Sequence, residues 1–187
     1  MMEWIAVAAG IVAVYLATRQ HVATWPIGLV SVALYVYIFL DAKLYSDMIL
    51  HVFYVGVQLY GWWTWRGGTA RGGAGRRVLP VSNLARRPLL ALITGTLLGS
   101  ILWGWAMNTW TDAALPWADA FTTVASFVAQ FLMAHKKIEH WIFWIVIDTV
   151  AVAVYILRDL HLTAGLYAVY LVLAVIGYRA WRRMSLQ

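Results

Sequence analysis

Residues 25–65 read WPIGLVSVALYVYIFLDAKLYSDMILHVFYVGVQLYGWWTW, and residues 141–181 read WIFWIVIDTVAVAVYILRDLHLTAGLYAVYLVLAVIGYRAW, a related pattern 116 positions on with no gap. The shift places Trp25 on Trp141, Leu44 on Leu160, Leu50 on Leu166, Tyr54 on Tyr170, Gly61 on Gly177, Trp65 on Trp181 and Arg66 on Arg182. Upstream it places Ala9, Val12, Ala13 and Leu16 on Ala125, Val128, Ala129 and Leu132. Aliphatic matches carry little weight in so apolar a chain; matched Trp, Gly and Tyr carry more. A duplicated apolar unit implies two similar half-structures with a site between them, as in many membrane carriers.

Hydrophobic residues make up 63% of the 187 positions and charged residues 12%, about half the charged fraction of a soluble domain. The chain is therefore an integral membrane protein. Its 12 Trp and ten Tyr suit the membrane interface or a stacking site for a ring. The absence of Cys excludes disulfides, thiolate metal sites and a cysteine nucleophile. The opening Met1-Met2-Glu3 lacks the basic region of a cleavable signal peptide. No HExxH, P-loop or carboxylate cluster is present, so neither a metal, a cofactor nor an enzymatic activity is expected.

Apolar stretches at 4–18, 25–40, 44–65, 89–107, 117–134, 141–157 and 160–178 predict seven spans. The run 25–65 needs a break, because 41 residues of helix would reach about 60 Å. Asp41-Ala42-Lys43 supplies it, and Arg158-Asp159 sits near the matching break. Counting loops, 12 of the 14 Lys and Arg fall on one side, and only Lys43 and Arg158 on the other. The positive-inside rule then puts the N-terminus outside and the C-terminus in the cytoplasm. That partition also tells against nucleic acid as the partner of the +6 charge. The expected architecture is all-α, with seven transmembrane helices in a 3+1+3 parallel repeat like that of SWEET carriers. Residues 1–66 form the first bundle, 67–116 a linker and a connecting span, and 117–187 the second bundle. Gly95-Thr96-Leu97-Leu98-Gly99 reads as the small-residue packing face of the connecting span. The Gly/Arg-rich segment 66–87 reads as a mobile cytoplasmic linker.

In the third span Asp47, His51, Tyr54, Gln58 and Trp65 recur at steps that place them on one stripe. An ionisable residue at mid-membrane costs roughly 2.5–3.5 kcal/mol, so the stripe should face protein or water. Asp47 has a second reading, as the polar end of its helix. In the sixth span Trp141, Trp144, Asp148 and Tyr155 share a face. A carboxylate there wants a hydroxyl, amide or cation, and the indoles suit a flat cationic ring. Trp141 also reads as part of an interfacial Trp belt. In the fifth span Gln130 stands out on a face with Thr123, while Ser126 reads as packing. Asn108 closes the outer end of the fourth span. Proton coupling through Asp47, His51 or Asp148 is an alternative to passive transport.

The run 25–65, with LYSD followed by GWWTW, and the run 137–181, containing HWIFWIVID, resemble the PnuC family of vitamin transporters. The resemblance implies a bacterial inner-membrane carrier of nicotinamide riboside, working by facilitated diffusion in support of NAD synthesis. It also implies a homotrimer, and trapping of the substrate by cytoplasmic kinases without required contact. The family's WxxW motifs fall on Trp62/Trp65 and Trp141/Trp144, and its sixth-span Asp on Asp148. His51 stands where many members have Gln, and many carry a further N-terminal helix not read here. Relatives that carry thiamine or riboflavin share the frame.

Overall fold

The computed structural model describes residues 2–41, 45–67, 79–111 and 115–185, with side chains except at 45–47, 49 and 50. Seven helices are found among them: α1 (Met2–Thr18), α2 (Thr24–Asp41), α3 (Tyr45–Trp65), α4 (Arg86–Trp110), α5 (Pro116–Ala134), α6 (Glu139–Leu157) and α7 (His161–Met184). Four of them, α2, α4, α6 and α7, are long and apolar enough to cross a membrane, and α1 is a shorter apolar helix. The chain is a multi-pass helical membrane protein.

The 116-residue shift carries the last residue of α1 onto that of α5, the last of α2 onto that of α6, and the first of α3 onto that of α7. It also carries one turn onto another. The His21 N–H donates to the Leu16 carbonyl at 3.0 Å, and the Lys137 N–H to the Leu132 carbonyl at 2.9 Å. Each bond closes around a left-handed residue, Gln20 at φ 53° and Lys136 at φ 50°. This is the Schellman termination, made here without glycine. The break at Arg158-Asp159 uses the same device, with Asp159 at φ 58°; Ala42–Leu44 lie outside the described residues.

The chain divides into two compact units, Met1–Pro80 with Ala134–Lys136, and Val81–Met133 with Lys137–Gln187. In the first, α2 packs against both α1 and α3. Small residues let α1 come close: Ala6, Ala13 and Ala17 are buried. The Thr24 hydroxyl donates to the Ala13 carbonyl and the Ser31 hydroxyl to the Ala6 carbonyl, both at 2.7 Å. Trp25 then lies against Gly61 and meets Trp65 edge-on at 5.4 Å.

The second unit repeats that seat. Trp141 lies against Gly177 and meets Trp181 edge-on at 5.8 Å, with the buried His140 ring 4.4 Å from Trp141 and 4.6 Å from Trp181. The matched Trp and Gly residues of the sequence are thus one packing device used twice. The buried face of α4 is Thr96, Ser100 and Gly104. Trp117 packs on Gly104 and Val124 approaches Gly99, whereas Gly95 faces open space. Of the Gly95–Gly99 segment, Thr96 and Gly99 therefore meet neighbours and Gly95 does not.

The linker is also more ordered at its end than its composition suggests. The Ile138 N–H donates to the Ser82 carbonyl at 3.1 Å and Lys137 Nζ to the Ser82 hydroxyl at 2.8 Å. The Leu84 N–H donates to Glu139 Oε1 at 2.8 Å. Residues 82–84 are thereby strapped to the α5–α6 turn; residues 68–78 lie outside the described residues.

Candidate functional site

On α3 the stripe has its expected spacing, and antiparallel packing against α2 decides what each member meets. Trp25 faces Gly61, Gly28 faces Gln58, and Tyr35 faces His51, one continuous register. His51 sits in a ring cluster, 5.5 Å from Tyr35, 4.9 Å from Phe39 and 5.8 Å from Tyr54. Gln58 is buried, its amide filling the space left by Gly28. Trp62 is half-buried, with the Arg66 guanidinium 5.4 Å from its ring centre. Trp65 is buried and its indole N–H donates to the Ala134 carbonyl at 3.2 Å. The Asp47 side chain lies outside the described residues.

In the second unit Ala125, Ala129 and Ile147 form a core against which Phe121, Phe143 and Trp144 pack. Trp144 and Ala174 occupy the repeat positions of Gly28 and Gln58. A large side chain on α6 opposite a small one on α7 replaces the reverse pairing on α2 and α3. Trp141 is fully buried, so it is packing rather than belt. Gln130 is half-buried on α5 and Ser126 buried, while Asn108 is exposed at the end of α4.

Asp148 is the outstanding group. It is 3% exposed, and among the described residues its carboxylate makes no hydrogen bond or ion pair. Two turns further along the same face of α6, Tyr155 stacks on Tyr167 of α7 with ring centres 5.2 Å apart. A buried charge without a partner is costly, and it is tolerated where a ligand completes it. Tyr167 and Tyr170 were missed by reading stripes on single helices. The 116-residue shift could have found them, since it maps His51 onto Tyr167 and Tyr54 onto Tyr170.

At the α5–α6 turn, the buried Lys136 donates to the Gln20 amide oxygen at 3.3 Å and lies 4.7 Å from the Trp65 ring centre. Gln20 and Lys136 are equivalent in the repeat. Burial pushes the Lys136 ammonium below its ordinary 10.5, since desolvation disfavours the charged form. A base whose folded pKa is lowered weakens the fold at neutral pH, and the penalty is relieved as pH rises through that pKa toward 10.5. Lys136→Met keeps the stem and removes the charge. It is expected to melt above the wild type at pH 7, with the gap closing as pH approaches 10.5. A lower melting temperature at pH 7 would mean that the Gln20 and Trp65 contacts outweigh the burial.

A duplicated set of membrane helices, presenting buried polar groups and rings along helix faces, defines a membrane carrier rather than an enzyme. The chain belongs to the nicotinamide mononucleotide transporter family, whose model matches residues 1–183. It is 30% identical to the nicotinamide riboside transporter PnuC of Neisseria mucosa, covering 96% of this chain and 71% of that one. It is 26% identical to the riboflavin/roseoflavin transporter RibM of Streptomyces davaonensis, over 92% and 80% of the two chains. A crystal structure of the vitamin B3 transporter PnuC superposes with a TM-score of 0.77 at 28% identity, over 98% of this chain and 81% of that one.

Proposed function

We propose that this protein carries nicotinamide riboside across the bacterial inner membrane by facilitated diffusion, supplying NAD synthesis. The relatives support the substrate class, and the buried Asp148 one turn from Trp144, without a hydrogen bond or ion pair among the described residues, is the observation that carries the binding chemistry. Nicotinamide riboside offers a cationic ring, an amide and vicinal hydroxyls. In the second unit Trp144 meets the ring, Gln130 the amide, and Asp148 accepts from the hydroxyls. Trp141 holds Trp144's helix in place from its seat on Gly177. The first unit presents His51, Tyr54, Gln58 and Trp62 from α3, backed by Trp65, with Asp47 at the start of that helix.

The proposed topology has seven spans in a 3+1+3 order, with α1–α3 and α5–α7 running in the same sense and α4 returning the chain. The N-terminus lies outside and the basic loops and C-terminus in the cytoplasm. Assembly as a homotrimer and trapping by a cytoplasmic kinase belong to the same reading.

The likeness to RibM favours one second reading, transport of riboflavin. Titrating purified protein with nicotinamide riboside, riboflavin and thiamine separates them. Nicotinamide riboside is expected to bind tighter than about 1 mM, the working range of a carrier. Tight riboflavin or thiamine binding with none for nicotinamide riboside would move the function to that vitamin.

A further inference from the structure

One side of α7 is an apolar stripe that ends in guanidinium groups. Val169, Val172, Ile176, Arg179 and Arg183 follow at steps of three, four, three and four residues, which puts them on one face of the helix. All five are exposed. Apolar side chains left uncovered on a spanning helix lie against acyl chains. From Val169 to Arg179 the helix rises about 15 Å, roughly the hydrocarbon depth of one leaflet. The arginines therefore reach the headgroups while the stripe lies along the chains. Under the 116-residue shift the same side of α3 reads Phe53, Gly56, Tyr60, Trp63 and Gly67. It ends in an aromatic pair, Tyr60 and Trp63 with ring centres 6.2 Å apart, the neutral anchor of a membrane interface. The scaffold is duplicated but the charge is not.

The protein supplies no counter-charge for these arginines. Among the described residues, Arg179, Arg182 and Arg183 make no ion pair. The basic segments 18–24, 66–88, 134–140 and 179–187 contain one carboxylate between them, Glu139. It is buried and accepts from the Leu84 N–H. A lipid with a negatively charged headgroup offers what is missing. Its phosphodiester suits two forked guanidiniums one turn apart, and its chains suit the valines and isoleucine along the same face. We propose that this face of α7 binds an anionic phospholipid, the phosphate held by Arg179 and Arg183 and the chains lying along Val169, Val172 and Ile176. The corresponding face of α3, ending in Tyr60 and Trp63, has no such site.

Native mass spectrometry of the delipidated full-length protein, titrated with phosphatidylglycerol and with phosphatidylcholine, tests it. The wild type is expected to prefer phosphatidylglycerol. In Arg179→Gln/Arg183→Gln the Kd for phosphatidylglycerol is expected to rise about ten- to thirty-fold, with that for phosphatidylcholine unchanged. Arg86→Gln/Arg87→Gln removes the same charge at the start of α4 and is expected to leave both affinities as they were. Arg179→Trp, which copies Trp63 of α3, serves if the α7 double variant does not purify folded, and is expected to show part of the same selective loss. Equal affinity of the wild type for the two lipids, no loss in the α7 variants, or equal loss in the α4 variant overturns the site. So does a face covered by a second copy of the chain. The α7 double variant would then fall into smaller oligomers in the same spectra while its phosphatidylglycerol affinity stayed intact.

Discussion

Gly177→Leu is expected to yield no folded, monodisperse protein, while Gly165→Ala on the same helix is expected to match or exceed the wild type. A Cβ at position 177 would lie 2.4 Å from the Trp141 ring, with two further ring atoms at 2.6 Å. The indole cannot withdraw, because Trp141 is buried against His140 and Trp181. Overpacking a tight core costs about 1–3 kcal/mol or more, and here a leucine must displace a whole indole. At Gly165 a Cβ meets nothing within 4 Å. Alanine there keeps only its helix-propensity gain, up to about 1 kcal/mol. Gly61→Leu should fail as Gly177→Leu does, since its Cβ would lie 2.2 Å from Trp25. Size-exclusion profiles and melting temperatures in detergent decide it. A Gly177→Leu protein melting with the wild type would show that the seat is dispensable.

The largest effect on binding is expected from Asp148→Asn. The amide keeps the size of the carboxylate and drops its charge. Losing a charge-assisted hydrogen bond to substrate weakens affinity about 10- to 100-fold. Stability should move the other way or stay level, because the substrate-free protein no longer buries a carboxylate that has no partner among the described residues. Opposite signs in binding and melting temperature mark a group held for its ligand. A structural aspartate would show the reverse: a lower melting temperature with the Kd unchanged.

Much of the scaffold was legible because its devices leave unusual residues behind. A Trp packed on a Gly must be kept as a pair, so the matches of Trp25 with Trp141 and Gly61 with Gly177 announced the repeat, while the seat of each Trp on its Gly is seen only in the structure. The turns at Gln20 and Lys136 gave no such signal, since left-handed positions usually declare themselves as glycine. On α4 the sequence offers two small-residue faces. Only their burial, with Trp117 seated on Gly104, shows that Thr96, Ser100 and Gly104 form the packed one. The candidate site was read as stripes on single helices, and the Asp148 and Gln58 they single out are buried. It was not legible as pairs across helices: Tyr155 beside Tyr167, or Phe39 beside His51, depends on the antiparallel register of neighbouring helices. Swaps such as Gly28/Gln58 for Trp144/Ala174 become meaningful only once that register is known.

The central claim is passive transport of nicotinamide riboside, and uptake into sealed liposomes carrying the purified protein tests it most directly. Labelled nicotinamide riboside is expected to enter saturably, to stop when the inner and outer concentrations are equal whether or not a pH gradient is imposed, and to be recovered chemically unchanged. Accumulation above the outer concentration under a pH gradient, or uptake no faster than into protein-free liposomes, would contradict it.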